Sequence, residues 1–156
     1  VEKEERIFNK DILIGVDESE NSRRAVSYVG QFLGESGKVK VTLLHVIPKP
    51  VEDFFSDRNA EKKWIENHSR KVDAFLEEYR QILIHWGFGS ENIRLRYPVC
   101  YCPSVVECIL TEREETGCNT IVVGRQGLSQ SEEFIFGSIS SKLVTHAHHC
   151  TVWIVE

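Results

Sequence analysis

The chain has 156 residues, a length that fits one domain spanning residues 1–156 rather than two. Hydrophobic residues make up 41% and charged residues 28% with both signs mixed, which excludes a disordered or low-complexity protein. A net charge of −5 argues against a nonspecific grip on nucleic acid or an acidic membrane face.

The longest apolar stretches run to about five residues, such as Ile12 to Val16, too short to cross a bilayer. Five cysteines, an odd number without regular spacing, do not suggest a disulfide framework. The charged opening from Val1 to Arg6 does not read as a signal peptide, so the expectation is a reduced, cytoplasmic protein.

Strand-like and helix-period segments alternate along the chain. Ile12-Leu-Ile-Gly-Val16 reads as a first strand of the kind buried on both faces of a parallel sheet. Asp17 to Ser22 is dense in capping residues, and Ala25, Tyr28, Val29, Phe32 and Leu33 recur at helical spacing before Gly34 and Gly37. Val41 to Ile47 reads as the second strand, stopped by Pro48 and Pro50.

The longest helix carries Ile65, Val72, Phe75, Leu76, Tyr79, Ile82, Leu83 and Trp86 on one stripe, ended by Gly87 and Gly89. Ile93 to Val99 is a third strand, alternating and polar enough for a sheet edge. Pro103 is placed as a first helical residue ahead of Val105, Val106, Ile109 and Leu110. Thr120 to Gly124 forms the fourth strand, a helix covers Ser138 to His148, and Thr151 to Val155 closes the set. This alternation predicts an α/β fold, a five-stranded parallel doubly wound sheet with four helices on its two faces.

Ligands of such a sheet sit beyond the carboxyl ends of its strands. There the chain places Asp17 after the first strand and Gly124-Arg-Gln-Gly127 after the fourth, with neither GxxxxGK[ST] nor GxGxxG. Glycines let a backbone approach a ligand closely, and Gly137-Ser138 opens a helix whose unpaired amides attract anions. Two such elements flanking one loop suit a di- or triphosphate.

The pattern Gly-x2-Gly-x9-Gly-Ser, formed by Gly124, Gly127, Gly137 and Ser138, resembles that of the ATP-binding branch of the universal stress protein family. Ile12 to Ser19, Leu43 to Val46 and the segment from Gly137 to Val155 are similar to the same family, so the resemblance spans roughly residues 8–156. It implies a sheet of strand order 3-2-1-4-5 and a homodimer joined through the last strand. Asp17 would face the ribose, Gly15 and Val16 would line the adenine side, and the Val46 backbone would meet the adenine edge. Gly124, Arg125 and Gly127 would form the first phosphate turn, and Gly137, Ser138, Ile139 and Ser140 would hold the phosphates. The implied ligand is ATP, or ADP or AMP, with Mg.

Departures from the family pattern include Leu128 after the second glycine and two carboxylates, Glu132 and Glu133, which would repel a phosphate. Arg125 is the cation that would offset them. No catalytic triad, carboxylate pair or HExxH is legible, so hydrolysis would be slow at most, with Glu132 or Glu133 as the base. His45 reads as a packed histidine, and Asp17 and Ser138 also suit helix capping. The cluster His146, His148, His149 and Cys150 reads as a solvated helix end rather than a metal site. Cys102 at a helix start is a candidate redox thiol, and Phe54 and Phe55 are either a partner-binding lip or loop anchors.

The resulting expectation is a regulatory homodimer switched by an adenine nucleotide through the loop from Gly124 to Gly137, acting on an unidentified protein partner. Its rivals are an interaction module without nucleotide binding and a slow ATPase.

Overall fold

The computed structural model describes residues 8–101, 104–125 and 138–156. Along the chain run β1 (Ile12–Gly15), α1 (Glu20–Leu33), β2 (Val41–Leu44), β3 (Ile47–Pro48), α2 (Arg58–His85), β4 (Ile93–Arg96) and β5 (Val99–Cys100). There follow α3 (Val105–Thr116), β6 (Thr120–Gly124), α4 (Ser138–His146) and β7 (Thr151–Val155). The main sheet has five parallel strands in the order β4-β2-β1-β6-β7, the order 3-2-1-4-5 of the five expected strands.

Side chains alternate between the faces of a strand, and here both faces are covered. Ile12, Ile14, Val41, Leu43 and Val122 face α1 and α2, against Val26, Val29, Leu76 and Leu83. Leu13, Leu44, Ile121 and Val123 face α3 and α4, against Val106, Ile109 and Leu143. The near-continuous apolar runs of the central strands follow from this double burial. The more polar Ile93-Arg-Leu-Arg96 lies at the sheet edge, as its alternation predicts.

Two of the expected strands are interrupted. Val41–Ile47 divides into β2 and β3, and Ile93–Val99 into β4 and β5, with β3 and β5 pairing as a small parallel sheet of their own. The chains stay hydrogen-bonded across the break: His45 N–H donates to Arg96 O at 3.0 Å, Ile47 N–H to Pro98 O at 2.9 Å and Lys49 N–H to Cys100 O at 3.0 Å. Pro98 has no N–H to return, so the ladder loses a rung there.

Each of the first three helices starts on a side-chain cap. Ser19 accepts from Ser22 N–H, Asp57 from Ala60 N–H and Ser104 from Glu107 N–H. The last corrects the expected helix start at Pro103. Ser104 has the extended backbone a cap requires, and Val105 is the first helical residue. Pro103 lies outside the described residues.

Gly34 caps α1 as expected, yet in right-handed geometry that any residue adopts. Its lack of a side chain serves packing instead, since a Cβ would lie 2.0 Å from the Trp86 carbonyl oxygen. A Cβ on Gly30 would likewise meet the Trp86 ring at 2.8 Å, so the two glycines admit the end of α2 against α1.

Candidate functional site

The carboxyl ends of β1, β2 and β6 converge where the strand order reverses, the place where doubly wound sheets hold ligands. A cavity of about 240 Å³ opens there. Gly15, Val16 and Asp17 line it from β1, Leu44, His45 and Val46 from β2, and Val123 and Gly124 from β6. Val105 and Ile109 of α3 and Ile139 of α4 close its apolar side.

The β1–α1 turn is fixed by its own side chains. Ser22 Oγ accepts from Asp17 N–H at 2.9 Å and donates to Asp17 Oδ1 at 2.9 Å. The same Oδ1 accepts from Ser19 N–H at 2.9 Å, and Tyr79 of α2 donates its hydroxyl to Asp17 O at 2.6 Å. Asp17 thus organises the turn before the Ser19 cap while its carboxylate borders the cavity, so a structural and a ligand-facing role coexist. Burial first, and the charge of Asp17 second, push the Tyr79 phenol up to about 12.

On the β2 side the backbone itself is presented. The N–H groups of His45, Ile47 and Lys49 all bond toward β4 and β5, so strand alternation turns the Val46 peptide edge toward β1. The rung that Val16 N–H makes to Leu44 O, at 2.8 Å, has no successor to Val46. No described residue accepts the Val46 N–H, and Val46 lines the cavity with 7% of its surface exposed. The His45 ring packs edge-on against Phe75, with centroids 5.1 Å apart, as a packed histidine would.

Gly124 lines the cavity, and it is also needed away from it. A Cβ there would lie 2.8 Å from the backbone of Asn21 in the first turn of α1. Arg125 directs its guanidinium to Glu156 at 2.6 Å and its N–H to Val155 O at 2.8 Å. Its carbonyl accepts from the hydroxyl of Ser140, which is 2% exposed, at 2.9 Å. Ser138 opens α4. Gly127, Leu128, Glu132, Glu133, Gly137 and Cys102 lie outside the described residues.

Of the expected site residues, Gly15, Val16, Asp17, Val46, Gly124 and Ile139 share one cavity, while Arg125 and Ser140 brace the chain beside it. Sequence reasoning missed Ser22, Val105, Ile109 and Val123. Val105 and Ile109 are legible as one face of a helix, but spacing alone does not say that this face reaches the strand ends. Among the described residues no group of three or more His, Cys, Asp or Glu is placed to hold a metal, and no helix is long and apolar enough to cross a membrane.

A doubly wound parallel sheet with a cavity over its reversal point is the open α/β architecture that holds ligands beyond its strand ends. The sequence model of the universal stress protein family matches residues 9–84 and 100–156, and the chain belongs to that family. A putative universal stress protein of Staphylococcus aureus (strain USA300) is 27% identical over 153 residues, covering 96% of this chain and 86% of the relative. Among solved structures, hypothetical protein MJ0577 superposes with a TM-score of 0.77 at 23% identity, over 96% of both chains. A universal stress protein in complex with cAMP gives 0.70 at 22% identity, over 94% of this chain and 97% of that one. The universal stress protein from Archaeoglobus fulgidus in complex with dAMP gives 0.64 at 15%, over 96% of this chain and all of the other (100%).

Proposed function

We propose that this protein is a regulatory homodimer that binds an adenine nucleotide, ATP or its ADP and AMP relatives, in the cavity over β1, β2 and β6. The observation that carries the reading is the Val46 peptide edge, unpaired within the described residues and facing an apolar cavity beside Asp17. A buried peptide group without a partner is costly, and a nucleobase edge offers the matching acceptor and donor. The walls contributed by Val16, Val105, Ile109 and Val123 suit the faces of a base, and Asp17 suits a ribose hydroxyl.

The amino end of α4, with Ile139 on the cavity, would receive the phosphates, where helix amides and dipole favour an anion. Magnesium would accompany a di- or triphosphate. The bound cAMP and dAMP of the two related structures support an adenine ligand. For the dimer, β7 is an edge strand whose Trp153 packs edge-on against the exposed Tyr28 and Phe32, which stack at 5.7 Å.

Thermal-shift titration with Mg-ATP, ADP, AMP and cAMP tests the ligand. A nucleotide at 100 times its Kd adds about 2.7 kcal/mol, a rise on the order of 5–10 °C for this size. No shift with any of the four at millimolar concentration overturns the reading and favours an interaction module without nucleotide. Sedimentation at a mass near 18.0 kDa rather than twice that value overturns the dimer.

A further inference from the structure

We propose that His45 is a positioning residue for the nucleobase: its ring occupies the carbonyl that would otherwise pair with Val46 N–H, and so keeps the Val46 peptide open to ligand. The inference rests on the nucleotide reading for its consequence, though not for its geometry. In a regular parallel ladder the rung after Val16 N–H to Leu44 O is Val46 N–H to Val16 O. That acceptor is instead met by His45 Nδ1 at 2.7 Å. A carbonyl can only accept, so Nδ1 carries the hydrogen.

The ring has little freedom to leave. Phe75 of α2 packs edge-on against it, and the His45 main-chain N–H is held by Arg96 O. Side chain and main chain of one residue thus bond to opposite neighbours, Val16 on one side and Arg96 on the other. The effect is that β1 and β2 part after Leu44 with no unsatisfied carbonyl on Val16, while the Val46 N–H is left facing the cavity.

The test compares wild type with two variants. His45→Phe keeps a ring against Phe75 and removes the donor; His45→Asn supplies an amide N–H near the place of Nδ1. In nucleotide-free wild type, the Val46 amide should exchange with solvent at least about tenfold faster than the Ile47 amide, which is bonded to Pro98 O. In His45→Phe the Val46 amide should become protected as the rung to Val16 forms, and affinity for AMP should fall about tenfold or more. His45→Asn should restore both.

A Val46 amide as protected as Ile47 in wild type overturns the proposal without recourse to any variant. So does a His45→Phe protein that binds AMP as tightly as wild type. If wild type binds no adenine nucleotide, the functional reading fails by itself, and the exchange rates still decide whether His45 holds the strands apart.

Discussion

Tyr79 in α2 and Asp17 at the end of β1 are 62 residues apart in sequence and joined by a 2.6 Å hydrogen bond from phenol to main-chain carbonyl. The bond ties the helix that covers one sheet face to the turn that borders the cavity. It satisfies a carbonyl just past a strand end, and it anchors a hydroxyl in a side chain that is only 3% exposed.

Removing that hydroxyl should therefore weaken the fold and change its pH response. Tyr79→Phe should lose about 1–2 kcal/mol in urea unfolding near neutral pH. The native phenol titrates near 12, against about 10 in the unfolded chain. Between those values the unfolded state sheds its proton first, so the stability held below pH 10 declines as pH rises toward 12. Unfolding curves at pH 8, 10 and 11 should show this decline in wild type and a shallower one in Tyr79→Phe.

Gly124→Ala separates packing from ligand approach. The added methyl would meet the Asn21 backbone at 2.8 Å, and backbone moves less readily than a side chain. A loss of about 1–3 kcal/mol is expected in the nucleotide-free protein. Gly15→Ala, whose tightest contact is the Val123 side chain at 3.2 Å, should cost less. Equal stability of Gly124→Ala and wild type would show that the α1 contact is dispensable.

Two ion pairs should differ sharply in value. Glu112 is 6% exposed and accepts from Arg96 Nε, while Arg96 Nη2 reaches Glu115 at 3.0 Å. Arg96→Ala would strand the buried Glu112 carboxylate, at a cost of about 2–3 kcal/mol after allowing for the partial exposure of the guanidinium. Arg23 and Glu78, 3.7 Å apart on the surface, are both well solvated. Arg23→Ala should stay within about 0.5 kcal/mol of wild type in the same unfolding assay.

Cys118 is 2% exposed, and burial pushes its thiol up. The reactive species is the thiolate, so the native protein should leave Cys118 unmodified by iodoacetamide at pH 8. Peptide mapping after labelling in urea should find it fully alkylated. Native labelling at the rate of the unfolded chain would show that this end of β6 opens readily.

Much of the scaffold was legible because burial on two faces leaves a plain record in sequence. Ile12-Leu-Ile14 and Ile121-Val-Val123 alternate between two cores and are therefore apolar throughout. The site was legible in part, through Asp17, Val46 and Gly124 at strand ends. What escaped depends on distances between remote segments. Gly30 and Gly34 serve the approach of Trp86, and Gly124 the approach of Asn21, contacts that no local pattern encodes. The break within the second and third strands also escaped, because it arises from hydrogen-bond pairing around Pro98 and Val16 rather than from any loss of apolar character.

Arg125 joins three elements at once: its N–H reaches the end of β7, its guanidinium reaches Glu156, and its carbonyl takes the Ser140 hydroxyl from the first turn of α4. The described residues on either side of 126–137 are therefore tied directly to each other. The separation of those two ends is set by the frame of β6, β7 and α4. The entropy of closing such a span grows only with the logarithm of its length, about 0.6 kcal/mol for each doubling. A change in the number of residues between 125 and 138 should thus cost the frame itself little, because the frame is closed by bonds that do not depend on that stretch.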